Sequence, residues 1–492
     1  MSTTVEPRHA RQHGVGGTVR VFAAELLIIP SGILTAALLT RALGTTDFAL
    51  FALAATAIAW VEWSVTMMFS RAALKLVAEA DDWRPVGDAV LRAHVAGGIL
   101  AMFVIWIVAI PVSRALDAPG VAIVLALFAV DIPIFTAAQA HRVVLVGRGL
   151  YRERAIATAA RWISRLAYVT LFIAIDASVA SAVAGSIAAS VTELIVARRY
   201  IRPRVMNPSA ASMRNLLEFA APLFIFALCA RVVDKVDLFA LRALGESLAT
   251  AGVYSAAQNL SLGPGLFAAA LSPVLIASMT RQLRDGEQAA ALLSARNSLR
   301  AAFLLLPFAA LISGSAPELT SLLYGRDFID GALPLSILII GAVGFVIQSV
   351  AVAIIVVTGR PQIFIFLGVS MVVAALAGHL IFVPRFGAAG ASSVTAFISV
   401  SSALVSILIA RHVSGVAVPI ATLARSTGIA VGAFFVADAW ASEGSIILVQ
   451  LTLLSAAVLA AILLLREMSA SELGFFKRMV TPGPRVSAAG SA

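Results

Sequence analysis

Apolar residues gather here in long unbroken runs that recur along the whole chain. They cover about 21–40, 48–69, 93–112, 120–140, 156–175 and 178–197. After a basic, proline-containing segment, ARRYIRPRVMNPSAASMR (197–214), they resume at 215–238, 250–279, 299–316, 332–357, 361–383, 388–410, 418–437 and 445–465. A helix needs about 20 apolar residues to cross the ~30 Å hydrocarbon layer of a bilayer. Closed barrels are the other structure that can cross, and their strands are about ten residues long and alternate. These runs are roughly twice that length and show no period of two. They predict about fourteen transmembrane helices, an all-α polytopic membrane protein. The first run is too long for the core of a secretion signal and no small-residue cleavage site follows it, so it is expected to remain as a span.

Composition agrees with that pattern. Hydrophobic residues make up 60% of the 492, charged residues only 13%, and mean hydropathy is +0.98. A soluble domain carries about 25% charged residues, so this surface is made for lipid. The single cysteine, Cys229, excludes a disulfide framework and a cysteine-based zinc cluster. The net charge of +10 gains its meaning from where the cations lie. With the N-terminus cytoplasmic, the loops and helix ends on that side hold 29 of the 36 Lys and Arg residues. The opposite side holds five: Arg41, Arg114, Arg242, Arg326 and Arg385. That imbalance is the positive-inside signal. It predicts both termini in the cytoplasm and accounts for the basic charge without nucleic acid.

The two halves share landmarks. Arg41-Ala42-Leu43-Gly44 returns as Arg242-Ala243-Leu244-Gly245, and Gly147-Arg148 returns as Gly359-Arg360. Six spans separate the copies, an even number, so both units should share one orientation, with a cavity between them along the membrane normal. The expected layout is a cytoplasmic N-tail (1–20), an N-lobe (21–197), a cytoplasmic linker (198–214) and a C-lobe (215–410). Two further helices (411–465) and a cytoplasmic C-tail (466–492) complete it.

TRALGTTDFALFALA, in the turn after the first span, resembles the first-loop signature of the bacterial polysaccharide flippases. ARVVDKVDLFALRALGESLATAGVYSAAQNL (230–260) resembles their seventh-span signature, and ELTSLLYGRDF (318–328) and IFVPRFGAAGASSVTAFISV (381–400) resemble later segments. The resemblance covers about residues 18–410. The family belongs to the multidrug/oligosaccharidyl-lipid/polysaccharide exporter superfamily. It implies a flippase of the bacterial inner membrane that moves lipid-linked oligosaccharide, as for O-antigen or exopolysaccharide, by alternating access driven by an H+ or Na+ gradient. Membrane lipids, and polysaccharide polymerase or glycosyltransferase machinery, would be its partners. Two alternatives are a cation-coupled exporter of small amphiphilic compounds and a lipid II-type peptidoglycan precursor flippase. A membrane-embedded glycosyltransferase would need large acidic outer loops, and the outer loops here are short.

Polar groups inside the spans are the candidates for transport. Arg231, Asp234, Lys235 and Asp237 fall within seven residues of the seventh span. Four central charges cost roughly 10–14 kcal/mol, against roughly 5–10 returned by sixteen apolar residues, so this helix should face protein or water. Helical spacing puts Arg231, Asp234 and Lys235 on one face and Asp237 away from it. The cluster either lines the pathway or fastens spans together. Glu25, five residues ahead of the kink-permitting Pro30, and Glu62, between Trp60 and Trp63, are the acids of the first two spans and suit ion coupling or plain packing. Gln258 and Asn259 precede the break Leu262-Gly263-Pro264-Gly265, and broken helices at membrane depth line binding sites or simply pack. Arg161 and Arg165, four apart near the inner end of the fifth span, suit either an inner-mouth phosphate contact or snorkelling to headgroups. Asp131, Glu193, Gln348 and His379 read as isolated structural groups. The chain has no GxxxxGK[ST] loop, GxSxG elbow or HExxH helix. Hence no ATP-driven step, enzyme active site, metal or cofactor is expected.

Overall fold

The computed structural model describes residues 24–25, 27–80, 82–204, 235–358, 362–440, 442 and 444–467. Among them every regular element is a helix. The first half holds α1 (Ile28–Glu79), α2 (Trp83–Ala115), α3 (Pro119–Phe128), α4 (Asp131–Gly147), α5 (Tyr151–Ile175) and α6 (Val179–Tyr200). The second half resumes with a helical stretch at 235–243. It continues with α7 (Leu248–Leu260), α8 (Gly265–Arg284), α9 (Gln288–Phe303), α10 (Leu306–Gly314) and α11 (Ala316–Tyr324). A short 3-10 turn (Arg326–Gly331) leads to α12 (Ala332–Val357) and α13 (Gln362–Ser414). The chain ends in α14 (Ile420–Ala439) and α15 (Ile446–Leu464).

Eleven of the described helical stretches are long and apolar enough to cross a membrane. Two of these are 37 and 48 residues long, too long for one crossing of a ~30 Å layer. Each is broken at a glycine with non-helical backbone, Gly44 in α1 and Gly387 in α13. Counting the two sides of each break separately gives thirteen crossings. The fourteenth expected span, 215–238, lies outside the described residues except for its last four, as do Cys229, Arg231, Asp234 and the Gly359-Arg360 landmark. The chain is a multi-pass membrane protein. Ile107, Ile175, Phe397, Leu464 and many other large apolar side chains point outward, as a lipid-facing surface requires.

Packing between the halves is uneven. Alternation along the chain puts the turns after Leu43, Leu116, Leu244, Tyr324 and Arg385 at one end of the bundle. There the largest core joins Leu39, Phe48, Leu116 and Val121 of the first half to Leu241, Tyr254, Phe328 and Val383 of the second. Phe48 meets Phe328 edge-on at 5.9 Å, and Trp60 meets Phe239 at 4.8 Å. Gly252 of α7 packs so closely on the turn after Gly44 that a Cβ there would lie 2.1 Å from the Thr45 carbonyl oxygen. Toward the other end, one core (Phe69, Val77, Leu91, Val144, Ile201) lies wholly in the first half. Another (Met279, Leu299, Ile355, Ile407, Val416) lies wholly in the second. Among the described residues, the halves are thus welded at one end and have separate cores at the other.

The two Arg-Ala-Leu-Gly turns reinforce the weld. Gly44 and Gly245 both take positive φ, 71° and 104°, a region that glycine enters without strain. Each motif arginine then reaches across to the opposite half. Arg41 donates from Nε to the Leu323 carbonyl at 3.2 Å and from Nη2 to that of Leu322, the last carbonyls of α11. Arg242 donates to the Asp117 carbonyl just beyond α2, with the Asp117 carboxylate 3.4 Å away. Unpaired carbonyls and the negative end of the helix dipole make helix C-termini good partners for cations. The sequence repeat is therefore visible as two reciprocal arginine latches.

Candidate functional site

Four arginines and four acids come together inside the first half. They lie on the chain just ahead of α1 (Glu25), on α1 past its break (Glu62), and on α4 (Asp131, Arg142), α5 (Arg154, Arg161, Arg165) and α6 (Glu193). Glu193 is the hub. Fully buried at 0% exposure, it has Arg142 Nη1 3.2 Å from one oxygen and Arg161 Nη1 3.2 Å from the other. Arg142 is held further by Gln139 Oε1 at 2.9 Å and Thr158 Oγ1 at 3.2 Å. Arg154 Nη2 lies 3.0 Å from Glu25 Oε1, and Arg142 Nη1 approaches the same oxygen at 4.0 Å. Helical spacing explains the convergence. Arg154, Thr158, Arg161 and Arg165 stand three or four residues apart and so share one face of α5, while Ser190 and Glu193 share a face of α6.

Deeper in the cluster, Glu62 is within electrostatic reach of Asp131, Arg161 and Arg165. One oxygen of Glu62 and one of Asp131 are buried without a hydrogen-bond partner, and so are the Nε atoms of Arg154, Arg161 and Arg165. The Arg161 guanidinium lies 4.2 Å over the Phe135 ring, and both Arg161 and Arg165 flank Trp162. Open arginine donors beside aromatic faces can take a phosphate bidentately and stack on a ring. Carboxylates at membrane depth can take up a cation or a proton.

A second, smaller network sits in the other half. Asp237 is 1% exposed. It accepts from Tyr254 Oη at 2.6 Å, Gln258 Nε2 at 2.9 and 3.0 Å, Thr395 Oγ1 at 3.0 Å and the Leu238 amide at 2.8 Å. His379 lies within electrostatic reach of it.

The expected site residues are thus redistributed. Glu25, Glu62, Arg161 and Arg165 meet in one cluster. Arg161 and Arg165 do not snorkel: Arg161 is paired inside the bundle with a buried acid. Asp131 and Glu193 are not isolated, because their helices converge on the same arginines. Arg142 and Arg154 belong to the cluster too, and counting charges by loop had assigned both to the membrane edge. The signal for Arg154 was its helical register with Arg161 and Arg165 on α5, and for Arg142 its register with Asp131 on α4. Asp237 and Gln258 form their own network, while Arg231 and Asp234 lie outside the described residues. Lys235 is half-buried and Asn259 is half-buried beside the break at 261–264. His379 and Gln348 do not stand alone either: His379 senses Asp237, and Gln348 donates to the Met371 sulfur at 3.1 Å.

Comparisons with known proteins bear on the fold and the family. The sequence model of the family described as polysaccharide biosynthesis protein matches residues 17–281, just over half of the chain. No curated protein matches in sequence. Among solved structures, one titled lipid II flippase MurJ in an inward closed conformation has a TM-score of 0.70 at 12% identity, covering 95% of this chain and 100% of that one. An outward-facing multidrug resistance MATE family transporter has a TM-score of 0.55 at 15% identity, with 81% and 95% covered. A Vibrio cholerae MATE transporter has a TM-score of 0.56 at 13% identity, with 82% and 96% covered. These likenesses establish a shared all-helical transporter fold.

Proposed function

The chain belongs to the polysaccharide biosynthesis protein family, and from that premise we propose that it flips lipid-linked oligosaccharide precursors across the bacterial inner membrane. The observation that carries this reading is the arginine cluster inside the first half, in a body whose halves, among the described residues, share a core at one end and have separate cores at the other. A diphosphate-bearing headgroup would enter at the unjoined end, meet Arg142, Arg154, Arg161 and Arg165, and leave its lipid tail in the bilayer. Opening of the welded end with closure of the other would then release it, a rocking of two parallel six-helix lobes. The excess of Lys and Arg on the side away from the Arg-Ala-Leu-Gly turns supports a cytoplasmic location for the unjoined end and both termini. Leaving Arg142, Arg154, Arg161 and Arg165 out as intramembrane groups still gives 25 against five. Glu62, Asp131 and Asp237 are the candidate carriers of an H+ or Na+ that would drive the cycle.

The test is deletion of the gene in its own cell. Lipid-linked oligosaccharide should accumulate on the inner leaflet, and a copy lacking the arginines of α5 should fail to restore export while still inserting. Normal export with raised drug sensitivity would sink this reading in favour of a small-amphiphile exporter. One observation favours a second reading, transport of a peptidoglycan precursor: the fold match covers 95% of this chain and the whole of the structure titled lipid II flippase. Lysis on depletion, with surface polysaccharide intact, would select it.

A further inference from the structure

The arginines of the cluster hold two unlike counter-ions. Glu193 is fully buried, accepts a hydrogen bond from Arg161 on one oxygen and has Arg142 Nη1 as an ion-pair partner 3.2 Å from the other. Pulling it away would strand two cations inside the bundle, a change that strongly destabilises folded proteins. Glu25 is 39% exposed and pairs with Arg154 at 3.0 Å through Oε1, the oxygen that Arg142 only approaches, at 4.0 Å. With one contact oxygen and no hydrogen bond to Arg142, this pair dissociates more readily than the Glu193 pairs. The Ser31 hydroxyl meanwhile donates to the Trp162 carbonyl at 2.9 Å, so α1 stays fastened to α5 when Glu25 leaves.

The site Glu25 occupies suits a larger anion better. Arg154 keeps a buried Nε with no hydrogen-bond partner, and a single carboxylate oxygen between two guanidinium groups leaves donors unused. A phosphate brings more acceptor oxygens and more charge, and arginine pairs with it bidentately. We propose that Glu25 is an exchangeable counter-ion, occupying the phosphate position on Arg142 and Arg154 in the empty protein and yielding it to the diphosphate of the lipid headgroup. This inference rests on the flippase reading above and assigns a role within it. Exchange makes the site selective, because neutral or cationic amphiphiles cannot displace a carboxylate from arginine. It also sets a threshold. If Glu25 held the arginines nine-tenths of the time, apparent diphosphate affinity would fall about tenfold. The same carboxylate then competes the headgroup off at the end of the cycle.

The experiment measures binding of inorganic pyrophosphate and of a short-chain prenyl diphosphate to the purified full chain. The proteins compared are wild type, Glu25→Gln, Glu25→Asp and Arg154→Gln. Glu25→Gln should bind both probes about tenfold more tightly, Glu25→Asp should stay near wild type, and Arg154→Gln should bind more weakly. In proteoliposomes Glu25→Gln should lower KM and also lower kcat, a split that a merely structural residue would not give. In the wild type, pyrophosphate should raise the reactivity of the Glu25 carboxyl toward a water-soluble carbodiimide, which needs no variant to fold. Unchanged affinity in Glu25→Gln, or no rise in carboxyl reactivity, overturns the exchange while the flippase reading stands. A gain confined to inorganic pyrophosphate overturns the assignment to the lipid headgroup. Failure of both probes to bind any of the proteins overturns the exchange and the flippase reading together.

Discussion

Gly252→Ala should open the welded end. An ideal Cβ at this position falls 2.1 Å from the Thr45 carbonyl oxygen, 3.1 Å from its carbon and 3.3 Å from Ala49 Cβ. Ordinary contact begins near 3.4 Å, so the two halves must separate by more than an ångström, and backbone atoms cannot rotate aside. Overpacking of this kind costs about 1–3 kcal/mol. If separation relieves it, the ratio of closed to open protein falls about 5- to 150-fold. The assay is maleimide labelling in detergent of Ala49→Cys, with Cys229 replaced by serine, because Ala49 is fully buried at this contact. Labelling should quicken at least about fivefold in the Gly252→Ala background. Gly263→Ala is the control, since a Cβ there meets nothing within 4 Å. An unchanged labelling rate would refute the view that this contact is the closing surface, whether or not thermal stability fell.

Three further outcomes follow from the same geometry. Glu193→Gln leaves Arg142 and Arg161 buried without a full counter-charge and should destabilise the protein by about 3–5 kcal/mol. Glu25→Gln should cost under about 1 kcal/mol, and thermal unfolding in detergent compares the two. Arg242→Ala removes a buried charged hydrogen bond between the halves and should raise Ala49→Cys labelling about tenfold. Arg41→Ala, acting from an exposed position, should raise it less, and the double variant should show nearly the product of the two. Asp237→Asn turns an amide group toward donors on Tyr254, Gln258 and Thr395 and should cost about 1–3 kcal/mol. In a double-mutant cycle with Tyr254→Phe that loss should be strongly non-additive, measured as melting temperature.

The crossings were legible because span length and hydropathy are local properties, and the breaks at Gly44 and Gly387 fall where the sequence separates one apolar run from the next. The Arg-Ala-Leu-Gly repeat was legible too, though its use was not. Nothing in four residues says that Arg41 will cap a helix more than 280 positions away. The site was half legible. A lone charge in an apolar run signals cost, so Glu25, Glu62, Asp237 and the α5 arginines stood out. Which charges meet depends on how five helices are rotated about their axes, and hydropathy carries no such information when a helix is apolar almost all round. Asp131 and Glu193 therefore read as solitary, although each has cations of another helix within reach. Arg142 and Arg154 were hidden by the opposite effect, because loop arginines are common enough to be absorbed into the orientation count.

In the proposed rocking of the two halves, the last two helices act as a ballast. Among the described residues, α14 and α15 pack mainly on each other and on helices of the second half. A Cβ at Gly314 of α10 would lie 2.5 Å from the Phe434 carbonyl oxygen, and Leu311 completes a core with Ala437, Leu454 and Ile462. Glu467 ties the end of the pair back to its beginning through Thr422 and Arg425, each at 2.6 Å. The second half therefore displaces more lipid than the first. A tilt that exchanges the open and closed ends must push that lipid aside, and viscous drag grows with the area swept. In the frame of the bilayer, the first half, which carries the arginines, should make most of the movement.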